Sequence, residues 1–210
     1  MPNKPSLPKA LKSPAGLALS VTFTLLAGAG AWWMFSPAED TIALPQKVCD
    51  EAISSDALKG VFPKKGEKFR EESSHLGTFY GECRVVTAGG ERASFSYINN
   101  PGGEYFRDRI QKKGVPVSLG GAYGYMAPNH VILLYVPCAN EHATDRIRVQ
   151  TGTSMSTQDD AEEYGRAKPV KGDKELTLFT GVVARGLARG PLNCPNADKL
   201  PEGPVKIHWP

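Results

Sequence analysis

The chain has 210 residues, with 25 basic and 22 acidic side chains and a formal net charge of +3 at pH 7. Three of the lysines lie within the first 14 residues, which contain no acidic residue, so the rest of the chain is formally neutral. Phosphate binding needs a concentrated basic surface, and this balance therefore argues against nucleic acid as a partner.

Ala15–Phe35 is an uncharged stretch of 21 residues. A helix needs about 20 mostly apolar residues to cross a bilayer, so this stretch is predicted to form one transmembrane helix. Lysines precede it and acidic residues follow it, which places residues 1–14 in the cytoplasm and the remainder outside. The alternative is a cleaved signal peptide. The anchor is favoured because cleavage at the available alanines would leave the apolar segment Trp32–Phe35 at the new N-terminus.

This helix divides the chain into four predicted parts. A basic tail at 1–14 and the membrane span at 15–35 are followed by a proline-containing linker at 36–47 and an extracytoplasmic domain at 48–210. The membrane is therefore one expected partner, and a component of the cell envelope is another. Small residues at every fourth position of the span indicate docking on a second membrane helix, since they allow close approach: Gly16, Ser20, Thr24 and Gly28.

All four cysteines lie in the predicted extracytoplasmic domain: Cys49, Cys83, Cys138 and Cys194. An even number of cysteines in an oxidising compartment indicates two disulfides, and three pairings are possible. We favour Cys49–Cys83 with Cys138–Cys194, because each bridge then closes one half of the domain. A zinc site is disfavoured because no C-x-x-C pair occurs, and no cofactor site is predicted.

The first half of the domain is predicted to contain short helices and a hairpin. Cys49–Val61 has capping serines and an apolar face, which predict one or two short helices. A strand is expected to start at Phe69. Alternation in Thr78–Thr87 and Arg92–Ile98 on either side of a Gly-Gly pair predicts a hairpin. Glu104–Lys113 has the spacing of an amphipathic helix.

The second half is predicted to contain further strands and a last helix. Val131–Val136 is the strongest strand, expected to be buried on both faces and to form a hairpin with Gly120–Met126. Lys174–Ala188 has apolar residues near helical spacing and is expected to pack on the sheet. The remaining expectations are strands at Val115–Leu119 and Arg146–Gln150, a mobile loop at Thr151–Pro169 and an irregular segment at 201–210. The predicted fold class is α+β, with a mostly antiparallel sheet and two or three packed helices, preceded by the transmembrane helix.

The layout of three segments resembles a known group of proteins. These segments are Cys49–Ala52, Gly81–Cys83 and Tyr135–Cys138. On them, the chain resembles secreted or membrane-anchored proteins of actinobacteria, especially Streptomyces-like ones, over most of 48–194. The resemblance implies an extracytoplasmic α+β domain with disulfides, and it implies no activity for any residue.

The sequence contains no recognisable catalytic motif. G-x-S-x-G does not occur, and the thiols are assigned to disulfides. Glu141, His142 and Asp145 form the group best suited to metal binding or acid–base chemistry, and a solvated ion pair is the simpler interpretation. The acidic run Asp159–Glu163 lacks the spacing of a calcium loop.

We therefore favour a membrane-tethered binding or accessory domain over an extracytoplasmic enzyme such as a cell-wall hydrolase. Gly120–Met126 places two tyrosines beside the strongest strand. Tyrosine side chains on a rigid strand are well suited to contact a protein partner or a glycan. Tyr123 and Tyr125 are the predicted contact surface, with burial in the core as the alternative for both.

Overall fold

The computed structural model describes residues 44–62, 68–99, 114–141, 145–154 and 168–210. Several predictions fall outside these ranges: the membrane span at 15–35, the helix at 104–113, His142 and the acidic run at 159–163. Within the described ranges, no helix is both long enough and apolar enough to cross a membrane.

Among the described residues, eight strands form one antiparallel sheet, and a further two form a small antiparallel pair. In chain order the ten strands are β1 (Lys47–Val48), β2 (Ile53–Ser54), β3 (Phe69–Leu76), β4 (Tyr80–Thr87), β5 (Arg92–Asn99), β6 (Val115–Leu119), β7 (Ala122–Met126), β8 (Ile132–Pro137), β9 (Arg146–Thr153) and β10 (Lys206–Ile207). β1 pairs with β2, and the large sheet has the order β10-β6-β7-β8-β9-β5-β4-β3.

The two predicted hairpins are confirmed, and each rests on local sequence. β4 and β5 alternate buried and less buried positions along most of their length, as expected for strands with one face on the core. Gly90 lies in their connection at φ +90°, a conformation that only glycine adopts without strain. β7 and β8 form the second hairpin, and Ile132 to Val136 are all buried, as predicted for the strongest strand.

The described part of the chain contains one α-helix, α1 (Asp173–Arg189), which packs across β8 and β9. Its apolar residues recur at helical spacing, and Leu176, Val183 and Leu187 are completely buried. Thr180 of α1 and Thr151 of β9 share a buried hydrogen bond of 2.6 Å. The helix ends at Gly190, whose amide donates to the Gly186 carbonyl. The core lies between α1 and the face of the sheet that carries Thr151.

The predicted fold class is wrong: the described residues form an antiparallel sheet with one α-helix, rather than an α+β fold with two or three packed helices, and none of their helices could cross a membrane. Cys49–Val61 contains no α-helix, since Cys49, Asp50 and Glu51 have positive φ angles and form the turn between β1 and β2. Ser54 then caps a 3₁₀ helix at Ser55–Leu58. A short run has too few internal hydrogen bonds to form an α-helix against tertiary contacts, here a disulfide at Cys49.

Two smaller predictions are also wrong. The loop expected from Thr151 begins later, because Thr151–Thr153 extend β9 and pair with Phe95–Ala93 of β5. The segment at 201–210 is not wholly irregular, because β10 pairs with β6. Arg185 of α1 fixes the segment that precedes β10, because it donates hydrogen bonds of 2.8 and 2.9 Å to the carbonyls of Pro201 and Gly203.

Both disulfides are present in the favoured pairing. Cys49–Cys83 has a Cα–Cα distance of 5.7 Å and Cys138–Cys194 one of 4.8 Å, both in the range that a disulfide requires. The first joins the β1–β2 turn to β4, and the second joins the end of β8 to the segment after α1. Each bridge therefore fastens a loop-rich part of the chain to the core.

Candidate functional site on the distal face of the sheet

The candidate site lies on the distal face, meaning the face of the large sheet that points away from α1. The Thr151–Thr180 hydrogen bond fixes Thr151 on the helix side. Because strand residues alternate between faces, Gln150 and Arg148 of β9 lie on the distal side. Strand register then assigns the other members of this face: Tyr80, Glu82, Arg84, Ser94, Ser96, Ile98, Ser118, Tyr123, Tyr125, Leu133 and Tyr135.

One row of residues crosses five neighbouring strands of the distal face. Register pairs Tyr80 with Ile98, Ile98 with Arg148, Arg148 with Tyr135, and Tyr135 with Tyr123. Neighbouring strands lie about 4.8 Å apart, so Tyr80 and Tyr123 are separated by roughly 19 Å along the row. The register continues past Tyr123 to Ser118 of β6 and Lys206 of β10. Residues far apart in sequence are thus brought into one line, in which Arg148 lies between Tyr80 and the neighbouring tyrosines Tyr135 and Tyr123.

On β7, Tyr123 is held by contacts on several sides. Its ring stacks on Tyr135 with centroids 5.5 Å apart and planes inclined by 24°. The guanidinium of Arg146 lies 5.8 Å from the Tyr123 centroid and donates a hydrogen bond to the phenol oxygen. Asp145 in turn accepts a 2.8 Å hydrogen bond from Arg146. Hydrogen bonding to Asp145, more than any other contact, raises the pKa of Arg146.

These contacts orient Tyr123 without covering it, since 37% of the residue remains exposed. Tyr125 lies two residues further along the same face and is half-buried. The two tyrosines predicted as a contact surface therefore share one face, and neither is a core residue. Fixed aromatic rings with a polar end suit recognition, because they lose little conformational freedom on binding.

Next to this row, two and four residues further along β4 from Tyr80, a depression of about 180 Å³ lies on β4, β5 and β9. Its polar lining comes from Glu82 and Arg84 of β4, from Ser94 and Ser96 of β5, and from Gln150 of β9. Beside it, Tyr80 is 46% exposed and donates its hydroxyl hydrogen to the Glu82 carboxylate. That hydrogen bond raises the pKa of Tyr80, with lesser contributions from desolvation and from the carboxylate charge.

The histidines in the described ranges do not form a recognisable catalytic group. His130 is completely buried and lies 2.9 Å from the Asp173 carboxylate, so it has no access to a substrate. His208 and Ser118 lie 2.8 Å apart at the β6 edge, which is a nucleophile–base distance. No carboxylate within the described ranges forms an ion pair with His208.

One cluster in the described part of the chain has the composition of a metal site: Cys49, Glu71 and Cys83. The two sulfur atoms are bonded to each other, so they do not supply thiolate ligands. Instead, the Glu71 carboxylate accepts a 3.1 Å hydrogen bond from the Cys49 amide. Its contact with Cys49 supports the β1–β2 turn.

The sequence led us to predict Tyr123 and Tyr125 as contact residues, and it did not lead us to single out Tyr80, Glu82 and Gln150. Their strands were predicted, and alternation alone shows that Tyr80 and Glu82 share a face. The pairing of β5 with β9, which brings Gln150 beside them, joins segments about 50 residues apart and has no local signal.

In comparisons with known proteins, no family model, curated protein or solved structure matches this chain.

Proposed function

We propose that the chain is an extracytoplasmic binding or accessory domain that contacts a cell-envelope component through the distal face. Two disulfides fit an oxidising compartment outside the cytoplasm. The uncharged segment Ala15–Phe35 would supply a single membrane anchor with residues 1–14 on the cytoplasmic side. Sequencing the N-terminus of membrane-extracted protein tests the anchor, because a mature chain starting near Trp32 would mean cleavage.

The observation that carries the binding proposal is the exposed and oriented ring of Tyr123. An exposed aromatic residue normally pays an entropic cost when a ligand immobilises it. Here Tyr135 and Arg146 already restrict the ring. The remaining exposed surface is therefore available for contact at a reduced cost. The neighbouring Tyr125 and the other residues of the distal face extend this contact surface.

The experiment compares envelope binding by the wild-type chain and by Tyr123→Ala. Removal of a central, well-packed tyrosine from an interface commonly costs about 2 kcal/mol, so we expect binding to weaken by roughly thirtyfold. Leu178→Ala is the matched control, because Leu178 is an exposed apolar residue on α1, outside the distal face. Equal binding by the two variants would contradict the proposed function.

A hydrolase is the second candidate, and the Ser118–His208 pair is the observation in its favour. In that mechanism Ser118 would attack the carbonyl carbon of an amide while His208 takes the hydroxyl proton and passes it to the departing amine. Water would then release the acyl group from Ser118. Cell-wall hydrolysis by the wild-type chain that Ser118→Ala and His208→Ala both abolish would support it. Hydrolysis that persists in both variants, or is absent from the wild-type chain, would exclude this pair.

A further inference from the structure

The depression beside Tyr80 is built from two short rows of polar side chains on three neighbouring strands. Register places Glu82 beside Ser96 and Ser96 beside Gln150. In the next row, Arg84 lies beside Ser94. Neighbours in each row are separated by about 4.8 Å, the spacing of strands in a sheet. The polar groups are thus fixed by backbone pairing rather than by a loop.

The hydrogen-bonding capacity of this lining points to a ligand rich in hydroxyl groups. The Glu82 carboxylate only accepts hydrogen bonds, and the Arg84 guanidinium only donates them. The Gln150 carboxamide and the serine hydroxyls do both. A sugar hydroxyl group also donates and accepts hydrogen bonds. Each hydroxyl group of a bound sugar can therefore find both a donor and an acceptor among neighbouring side chains of this lining.

Other ligand classes fit this lining less well. The carboxylate of Glu82 repels a simple anion such as phosphate. A hydrogen bond from the Tyr80 hydroxyl group holds this carboxylate in its position. A calcium ion needs six to eight oxygen ligands, whereas the polar lining offers one carboxylate beside a guanidinium. Protein interfaces usually have an apolar centre, but the lining here is mainly polar.

Tyr80 supplies the apolar component that sugar binding requires. Tyr80 and Glu82 are two residues apart on β4, so their side chains are neighbours on the distal face. The hydrogen bond to Glu82 restrains the Tyr80 ring, while nearly half of the residue remains exposed. A flat, exposed ring next to a polar floor can cover the C–H face of a sugar while its hydroxyl groups reach the floor.

We propose that this depression, together with the Tyr80 ring beside it, is a saccharide-binding subsite for a glycan of the cell envelope. This inference rests on the proposed function and names its ligand class. Tyr80 and Tyr123 lie on the same cross-strand row, roughly 19 Å apart at the spacing of strands. An extended glycan lying along that row contacts both tyrosines.

The test uses the full-length chain in detergent and purified bacterial cell-wall sacculi that have been boiled in detergent and treated with protease. We expect Tyr80→Ala and Gln150→Ala each to weaken binding by about tenfold, because each removes one part of the subsite. Tyr80→Phe keeps the ring and is expected to lose less than about threefold. Glu51→Gln and Leu178→Ala are controls on exposed residues away from the distal face, and all variants must retain the wild-type thermal midpoint.

The outcomes separate this inference from the proposed function. If Tyr123→Ala weakens binding to sacculi and the Tyr80 and Gln150 variants do not, the saccharide subsite is refuted and distal-face binding stands. If the wild-type chain binds untreated envelopes but not protease-treated sacculi, the ligand is a protein and the saccharide class is refuted. If none of the distal-face variants changes binding, both proposals fail.

Discussion

Gly124 lies in β7, and Gly121 lies just before that strand. Substitution of each glycine by alanine should change the stability of the protein by very different amounts. A Cβ atom built on Gly124 would lie 1.9 Å from the carbonyl oxygen of Leu133. A Cβ atom on Gly121 would meet nothing nearer than a Pro137 side-chain carbon at 3.9 Å. The first position therefore has no room for a side chain, and the second does.

The magnitude follows from the nature of the clashing atom. Overpacking a core costs about 1–3 kcal/mol, and a clash with backbone lies at the upper end because a paired strand cannot rotate aside. We therefore expect Gly124→Ala to lower the free energy of unfolding by about 3 kcal/mol or more. For a chain of this size, ~3 kcal/mol corresponds to a fall of roughly 6–12 °C in the thermal midpoint.

Thermal unfolding followed by circular dichroism, with the disulfides intact, measures the difference. Gly121→Ala is the matched control and should lie within about 1 kcal/mol of wild type, since the substitution mainly restricts the unfolded chain. Thermal midpoints for the two variants within 2 °C of each other would show that β7 and β8 do not approach each other closely at Gly124. That result would also contradict the positions of Tyr123 and Tyr125 on the distal face, because those positions depend on the pairing of β7 with β8.

Three further predictions test the packing, the titration of a buried tyrosine and one of the disulfides. Arg185→Ala leaves the partly buried hydrogen bonds to the Pro201 and Gly203 carbonyls unmade and should cost about 1–3 kcal/mol, whereas Arg189→Ala, at an exposed ion pair, should cost less than about 1 kcal/mol. Burial raises the pKa of Tyr97 to about 12, so between pH 10 and pH 12 the folded state keeps the phenol proton that the unfolded state loses. The free energy of unfolding should therefore fall as the pH rises from 10 to 12. The fall should be smaller in the Tyr97→Phe variant, which has no phenol to titrate. Replacing Cys138 and Cys194 together by alanine should lower stability in urea unfolding by about 4 kcal/mol, because the bridge closes a long loop.

Local patterns in the sequence predicted most of the strands and the helix. Alternation located β4, β5 and β9, and an apolar run located β8, since a strand buried on both faces has no polar positions. The spacing of Leu176, Phe179 and Val183 located α1. The disulfides followed from an even number of cysteines and from the division of the domain into two halves.

The errors occurred where tertiary contacts overrule local preference. The run after Cys49 has helix-like composition, but a disulfide and three residues with positive φ angles convert it into a turn. The pairing of Lys206 with Ser118 is equally nonlocal, and nothing in the proline-rich segment signals a strand. The distal face was missed as a unit for the same reason, because its rows depend on the register of strands distant in sequence.

The most direct test of the account is oxidative footprinting of the full-length chain, with and without bacterial envelope fragments. The account predicts protection of Tyr123 on the distal face and unchanged oxidation of Leu178 on α1, both of which are exposed in the free protein. Protection is also predicted at Tyr80, because it lies on the same row. Unchanged oxidation of both tyrosines under conditions where the chain is bound would contradict the claim that the distal face is the binding surface.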